Sequence, residues 1–260
     1  MKFTCTRLAA PVGVMSVLVA LAILATPAFA ANLVVNGGFE ADAAVVQLPD
    51  PLTGWSASEA GIVGGVLVNS GQVSPVSGLA TPGAKSGNYY ALLDLSAPSH
   101  MALSQSFAVG ARPPQTASLS YSWFATYSGD PAVSGNRTGL DSTSNDDVFT
   151  VRMDILKSSA GTFSTDAADL VFSNNWKAPI SQLPSAWTTY SAAIPADALM
   201  AGQLYTLRFA AASNRGPLIA GIDDVSLNVS AAPEPKAWLM ILAGLAVVAG
   251  VARHRDPQSR

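Results

Sequence analysis

Apolar residues recur at every second position along most of the chain, in short runs broken by Gly, Pro, Asn, Asp and Ser. That period marks strands with one buried face, and this punctuation marks turns. In "ASLSYSWFATY", Leu119, Tyr121, Trp123 and Ala125 share one face, and Ser118, Ser120 and Ser122 share the other. "DVFTVRMDIL" sets Phe149, Val151, Met153 and Ile155 against Thr150, Arg152 and Asp154. Further strands are predicted at "ANLVVNGGFE", which runs into an Asn36-Gly37-Gly38 turn, and at the glycine-weakened "GIVGGVLVN". "NYYALLDL", "MALSQSFAV", "WTTYSAAIP", "LYTLRFAAA" and "AGIDDVSLNV" complete the set. In the last of these, strict alternation puts Asp223 beside Val225 and Leu227 on the core face, with Ile222, Asp224 and Ser226 opposite. Eight or more strands in about two hundred residues predict an all-β fold, a two-sheet sandwich or jelly roll. Ser128 to Asn145 is expected to be a long loop.

The two ends break the pattern. Lys2 and Arg7 precede the apolar run Val12 to Ala25, and Ala28-Phe29-Ala30 follows. A positive region, an apolar stretch and an A-x-A site predict a secretory signal peptide over residues 1–30, cut after Ala30. An uncleaved anchor is the alternative. At the other end come Pro233-Glu234-Pro235, an uncharged run from Ala237 to Ala252, and then Arg253 and Arg255. As a helix that run is about 24 Å long at about 1.5 Å per residue. A bilayer core is about 30 Å thick. Lys236 and Arg253 suit the flanks of a short span and Trp238 suits the interface. Arg253 and Arg255 would keep the C-terminus cytoplasmic.

Between these ends, residues 31–230 are expected to form the sandwich, with 231–260 as a tail. Residues 31–232 carry eight basic and fifteen acidic side chains, a net charge of −7. Neutralising phosphates takes a basic footprint, so this sign argues against a nucleic-acid partner. The single cysteine, Cys5, lies within the leader, so the exported domain has no disulfide.

The chemistry on offer is sparse. The domain has one histidine, His100, expected in a loop. No G-x-S-x-G elbow frames a nucleophile and no H-E-x-x-H offers zinc ligands. Two carboxylates could form a glycosidase pair, but among fifteen acidic residues such pairs arise by chance. The chain therefore reads as non-enzymatic. A carboxylate at a core position, as predicted for Asp223, needs hydrogen bonds or a metal ion. Sugar binding needs an exposed aromatic platform with polar neighbours. Trp176, with Asn174, Asn175 and Lys177 beside it in "SNNWKAP", is the candidate platform and is expected in a loop. Trp55, Trp123 and Trp187 have core spacing.

Two resemblances add to this reading. "NLVVNGGFE", "GW" at Gly54-Trp55, "SGNYYALL", "LSQSF", "LSYSWF", "WTTY" and "IDDVSL" occur in an order that resembles galactose-binding-like jelly rolls, including the carbohydrate-binding modules of bacterial glycosidases. The resemblance implies a sandwich whose first and last strands lie together. It also implies a structural calcium ion between the "FE" and "DDV" regions, which nominates Glu40, Asp223 and Asp224 as ligands. The alternative is that these carboxylates cap strand ends through backbone N–H groups. The tail, with Pro233, Glu234, Pro235, an apolar helix, Arg253 and Arg255, resembles the PEP-CTERM sorting signals of Gram-negative, exopolysaccharide-producing bacteria. That resemblance implies a transient inner-membrane anchor, processing by an exosortase, and release to the cell surface or matrix. A permanent anchor is the alternative. Three functions are then open: a structural or adhesive matrix protein, a module binding the producer's exopolysaccharide, or an enzyme.

Overall fold

The computed structural model describes residues 30–42, 52–61, 64–96, 98–111, 114–129, 138–176, 180–195, 197–231 and 241–248. The chain divides into two units, Ala30–Ala231 and a second made of Met1–Phe29 with Ala232–Arg260. In the second unit, residues 241–248 are described and are helical. Among the described residues no helix is long and apolar enough to cross a membrane. The predicted signal peptide, Pro233, Glu234, Pro235, Arg253 and Arg255 lie outside the described residues, as does half of the predicted apolar helix.

The first unit is built from strands β1 (Ala31–Asn32), β2 (Ser56–Gly61), β3 (Gly64–Asn69), β4 (Tyr90–Leu95), β5 (Ser99–Ala108), β6 (Pro114–Tyr127), β7 (Phe149–Lys157), β8 (Leu170–Asn175), β9 (Thr188–Ile194), β10 (Leu204–Ser213) and β11 (Leu218–Ala231). They form two antiparallel sheets. One runs β3-β4-β11-β6-β9 with β1 also on β11, and the other runs β2-β5-β10-β7-β8. The expected β-sandwich is therefore present. Its first and last strands pair, Ala31 with Val229 and Asn32 with Asn228.

Period-two burial explains the core. Leu119, Tyr121 and Ala125 of β6 face Phe149, Met153 and Ile155 of β7 across the inter-sheet space, as the alternation predicts. The outer faces are covered as well. Leu67, Tyr90, Leu92, Phe124 and Ile219 form a second cluster under Val76, Leu79 and Trp187. Ala102, Leu140, Val148, Ala210 and Ala212 form a third, with Phe163 against it. Strands buried on both sides read as continuous apolar runs, which is why all six residues of β4 are buried.

The structure corrects four expectations. The strand expected at "GIVGGVLVN" is β3, Gly64–Asn69, and the strand before it, β2, which shares only Gly61 with that stretch and lies in the other sheet, was not predicted. Strand β8 was not predicted, because "LVFSNN" alternates poorly. His100 sits in β5 rather than a loop; its Nδ1 lies 2.9 Å from Ser142 Oγ and its ring packs edge-on against Phe163. The fourth correction concerns β11. Its register against β6 shifts between Asp223 and Ser226, and Asp224 stands at φ 53°. This β-bulge inserts one extra residue and resets the alternation. Ile222, Val225 and Leu227 therefore all reach the core, and Asp223 points to the outer side.

Candidate functional site

Two places on the sandwich concentrate side chains with chemistry to offer. The first is a cleft of about 50 Å³ between the sheets. One part of its lining is apolar and includes Leu93, Met153, Phe209, Ala220 and Ile222, all buried. The other part is aromatic and polar: Tyr121 and Trp123 of β6, Arg152 of β7, Asn174 and Asn175 at the end of β8, and Trp176 just after it. Alternation along β6 sends Tyr121 and Trp123 inward, while Phe124 between Trp123 and Ala125 joins the outer cluster. Pairing of β8 with β7, Asn174 to Met153 and Asn175 to Arg152, brings the amides alongside. The Trp176 N–H continues that pairing by donating to the Val151 carbonyl at 3.0 Å.

Side-chain contacts fix the rings. Trp176 and Trp123 meet edge-on, with centroids 5.3 Å apart. Tyr121 packs against Phe209 at 5.1 Å and Tyr190 at 5.2 Å. Asn174 Nδ2 donates to the Tyr121 hydroxyl at 2.8 Å. Burial pushes the Tyr121 pKa well above its ordinary value, so the hydroxyl stays protonated. The Trp176 indole N–H is buried and has no partner among the described residues. Trp176, Asn174 and Asn175, nominated from the sequence, thus come together. The form differs from the expectation: Trp176 is a partly buried wall packed on the core, not an exposed loop platform. Trp123, assigned to the core, is only partly buried and lines the same cleft.

The second place is a clasp of carboxylates around residues 85–89. Asp223 Oδ2 accepts N–H bonds from Lys85 at 3.0 Å and Ser86 at 3.1 Å, and its Oδ1 accepts one from Asp224 at 2.7 Å. Glu40 Oε1 accepts N–H bonds from Asn88 and Tyr89, both at 2.8 Å. The Ser86 hydroxyl donates to Asp224. Gly87 closes the turn at φ 61°, where a Cβ would stand 2.3 Å from Glu40 Oε1. Asp223 is fully buried although it faces outward, because this turn covers it. Burial is the main cause that raises its pKa to about 6; the neighbouring Asp224 charge adds to the shift, and the amide bonds oppose it.

Glu40, Asp223 and Asp224 therefore converge on one turn, and they do so as hydrogen-bond acceptors. Their charge suits a cation: no ion pair to any of the three occurs among the described residues. Their number alone does not form a cage, since no group of three His, Cys, Asp or Glu side chains placed to hold a metal occurs among the described residues. A calcium ion here would take carbonyl oxygens as well as Glu40 and Asp223, and would supply only structural cross-linking.

A third cluster escaped the sequence reading. On the outer face of the second sheet, buried Asp154 binds two buried arginines. Arg152 donates to both of its oxygens at 2.7 Å, and Arg208 donates to Oδ2 through Nε at 3.0 Å and through its terminal nitrogen. The guanidiniums also donate to the carbonyls of Thr138 and Thr162, tying two loops to the sheet. Alternation placed Arg152 and Asp154 on one face, but nothing in the pattern showed that the face was covered.

No family model and no curated protein matches the chain. Among solved structures, it is similar to the module TmCBM61 in complex with β-1,4-galactotriose, at 14% identity and TM-score 0.42 over 76% of this chain and 97% of that one. A cyclase from Fischerella sp. TAU gives 16% identity and TM-score 0.47 over 78% and 99%. An adhesin domain of Lys-gingipain from Porphyromonas gingivalis gives 14% identity and TM-score 0.41 over 76% and 98%. The functional reading accordingly rests on the residues of this chain.

Proposed function

We propose that the protein is an exported, non-catalytic surface or matrix component whose sandwich engages exopolysaccharide through the Trp176 cleft. The observation that carries this reading is the composition of the cleft: two tryptophans, a tyrosine and two asparagines gathered at one opening between the sheets. Aromatic faces and planar amides are what a sugar needs, one for its C–H surface and the other for its hydroxyls. No carboxylate lines the cleft, so the residues there do not supply a glycosidase acid pair. The proposal includes delivery. The leader exports the chain, and the tail around Pro233, Glu234, Pro235, Arg253 and Arg255 holds it transiently in the inner membrane for an exosortase. Structural calcium at Glu40, Asp223 and Asp224 is part of the same proposal.

Retention of the protein on the producer's exopolysaccharide tests the reading. Binding that Trp176→Ala and Trp123→Ala both abolish, in variants that still unfold cooperatively with native circular dichroism, supports it. Retention that neither change affects overturns the cleft as the site. Turnover of a glycan by the purified protein overturns the non-catalytic reading.

A further inference from the structure

Met200 and Leu204 stand in solvent at one end of the sandwich, 60% and 55% exposed. They lie in the turn that leads from β9 into β10, and backbone bonds seat that turn on the chain just after β5. The Val109 N–H donates to the Gln203 carbonyl at 3.0 Å, and the Gly202 N–H donates to the carbonyls of Val109 at 3.1 Å and Gly110 at 3.0 Å. The Met200 N–H donates to the Tyr205 hydroxyl at 2.8 Å. A Cβ on Gly110 or on Gly202 would meet nothing within 4 Å, so both segments project into open space. Residues 108–111 and 198–204 carry no charge; Arg112 and Asp197 are the charged residues next to them in sequence. An exposed apolar tip held in a fixed shape is suited to a partner that takes Met and Leu side chains out of water.

The chain leaves the sandwich at this same end. Ala231, the last residue of β11, pairs with Pro114, the first of β6, and Ala31 of β1 pairs with Val229. Pro114 follows Gly110 by four residues, at most about 14 Å of chain. From Ala231 the sequence reaches the uncharged run that starts at Ala237 in six residues, at most about 22 Å. We propose that the turn carrying Met200 and Leu204 rests on a lipid bilayer, with both side chains in the interface, while the tail holds the domain at the membrane. This rests on the delivery part of the reading above and adds a contact surface to it. Two side chains bury too little apolar surface to hold a free domain on lipid, and the covalent tether supplies the local concentration that makes the contact form. Removal of the tail therefore also ends the contact and frees the domain.

The test places the full-length protein in phosphatidylcholine vesicles, made with and without a nitroxide on the acyl chain. The chain has one cysteine, so Cys5→Ser combined with Met200→Cys, Leu204→Cys or Asn145→Cys carries one fluorescent label at a time. Asn145 is exposed just before β7, whose first residue pairs with the far end of β10 from Leu204. Labels at 200 and 204 should lose emission to the acyl-chain nitroxide, and the label at 145 should not. With the label at 204, Met200→Ser should weaken the quenching while the protein still floats with the vesicles. Floating protein whose labels at 200 and 204 are quenched no more than the label at 145 overturns the lipid contact and leaves the delivery reading standing. Protein that does not float with the vesicles overturns both. Emission at 200 and 204 that shifts with protein concentration in lipid-free detergent, without quenching in vesicles, assigns the turn to a second copy of the chain and overturns the lipid contact.

Discussion

Glu40 and Asp223, near opposite ends of the domain sequence, hold opposite halves of one turn. Asp223 receives the Lys85 and Ser86 amides, and Glu40 receives those of Asn88 and Tyr89. The Asp223 carboxylate is buried and its pKa is raised to about 6, against about 3.9 in an unfolded chain. Between those values the folded state holds a proton that the unfolded state has released. Stability from this group is therefore full below about pH 4 and declines as pH rises through 6. In chelator, the native protein should lose about 2 kcal/mol from pH 4 to pH 7 relative to Asp223→Asn. Parallel stability curves for the two proteins would remove Asp223 as the source.

Calcium reverses that slope if it binds the clasp, because a cation favours the ionised carboxylate. The melting temperature at pH 7 should then rise with added calcium. The gain is RT ln(1 + [L]/Kd), about 2.7 kcal/mol at a hundredfold excess over Kd. Asp223→Ala should abolish the rise, and Asp166→Ala should leave it. If chelator does not lower the melting temperature of the native protein, the clasp works through its hydrogen bonds alone.

The bulge in β11 is fitted to the "NGGFE" loop. The Val225 N–H donates to the Gly37 carbonyl at 2.9 Å, and a Cβ on Gly37 would stand 2.0 Å from the Val225 oxygen. Gly37→Ala should destabilise the domain by about 1–3 kcal/mol. Gly38→Ala meets only ordinary contacts, at 3.9 Å and beyond, and should stay within about 0.5 kcal/mol. Urea unfolding of the pair reads the difference.

The Asp154 cluster holds two buried guanidiniums on one carboxylate. Asp154→Ala leaves both cations unpaired and should destabilise by about 3–5 kcal/mol. Arg208→Met leaves a neutral Arg152–Asp154 pair and should lose about half as much or less. The reverse order in chemical denaturation would show that packing around Arg208, not charge, holds the two loops.

Alternation within β6 and β7 was enough to read the core, because each strand's inner face repeats Leu119-Tyr121 or Met153-Ile155 without interruption. It failed at Asp224, where a bulge added a residue that period-two counting cannot see. The face of Asp223 was thus misread, while its need for partners was read correctly from burial. The amide and aromatic character of the cleft was legible in "SNNW". Its depth was not, because Leu93 of β4 lies more than a hundred residues from Phe209 and Ala220, which themselves sit in different sheets. Likewise no local pattern announced that Asp154 and Arg208 would stand opposite each other.

Strand β11 has a mechanical consequence. It is interior to its sheet, bonded to β6 along its length, to β4 over Leu218–Ile222 and to β1 near its C-terminal end. The same strand supplies Ala220 and Ile222 to the cleft. Tension applied at Ala231 along β11 would load its ladders with β6 in shear, many bonds at once, instead of peeling them apart singly. If the proposed glycan contact holds, pulling between Ala231 and the cleft would load this sandwich in the direction that it resists best.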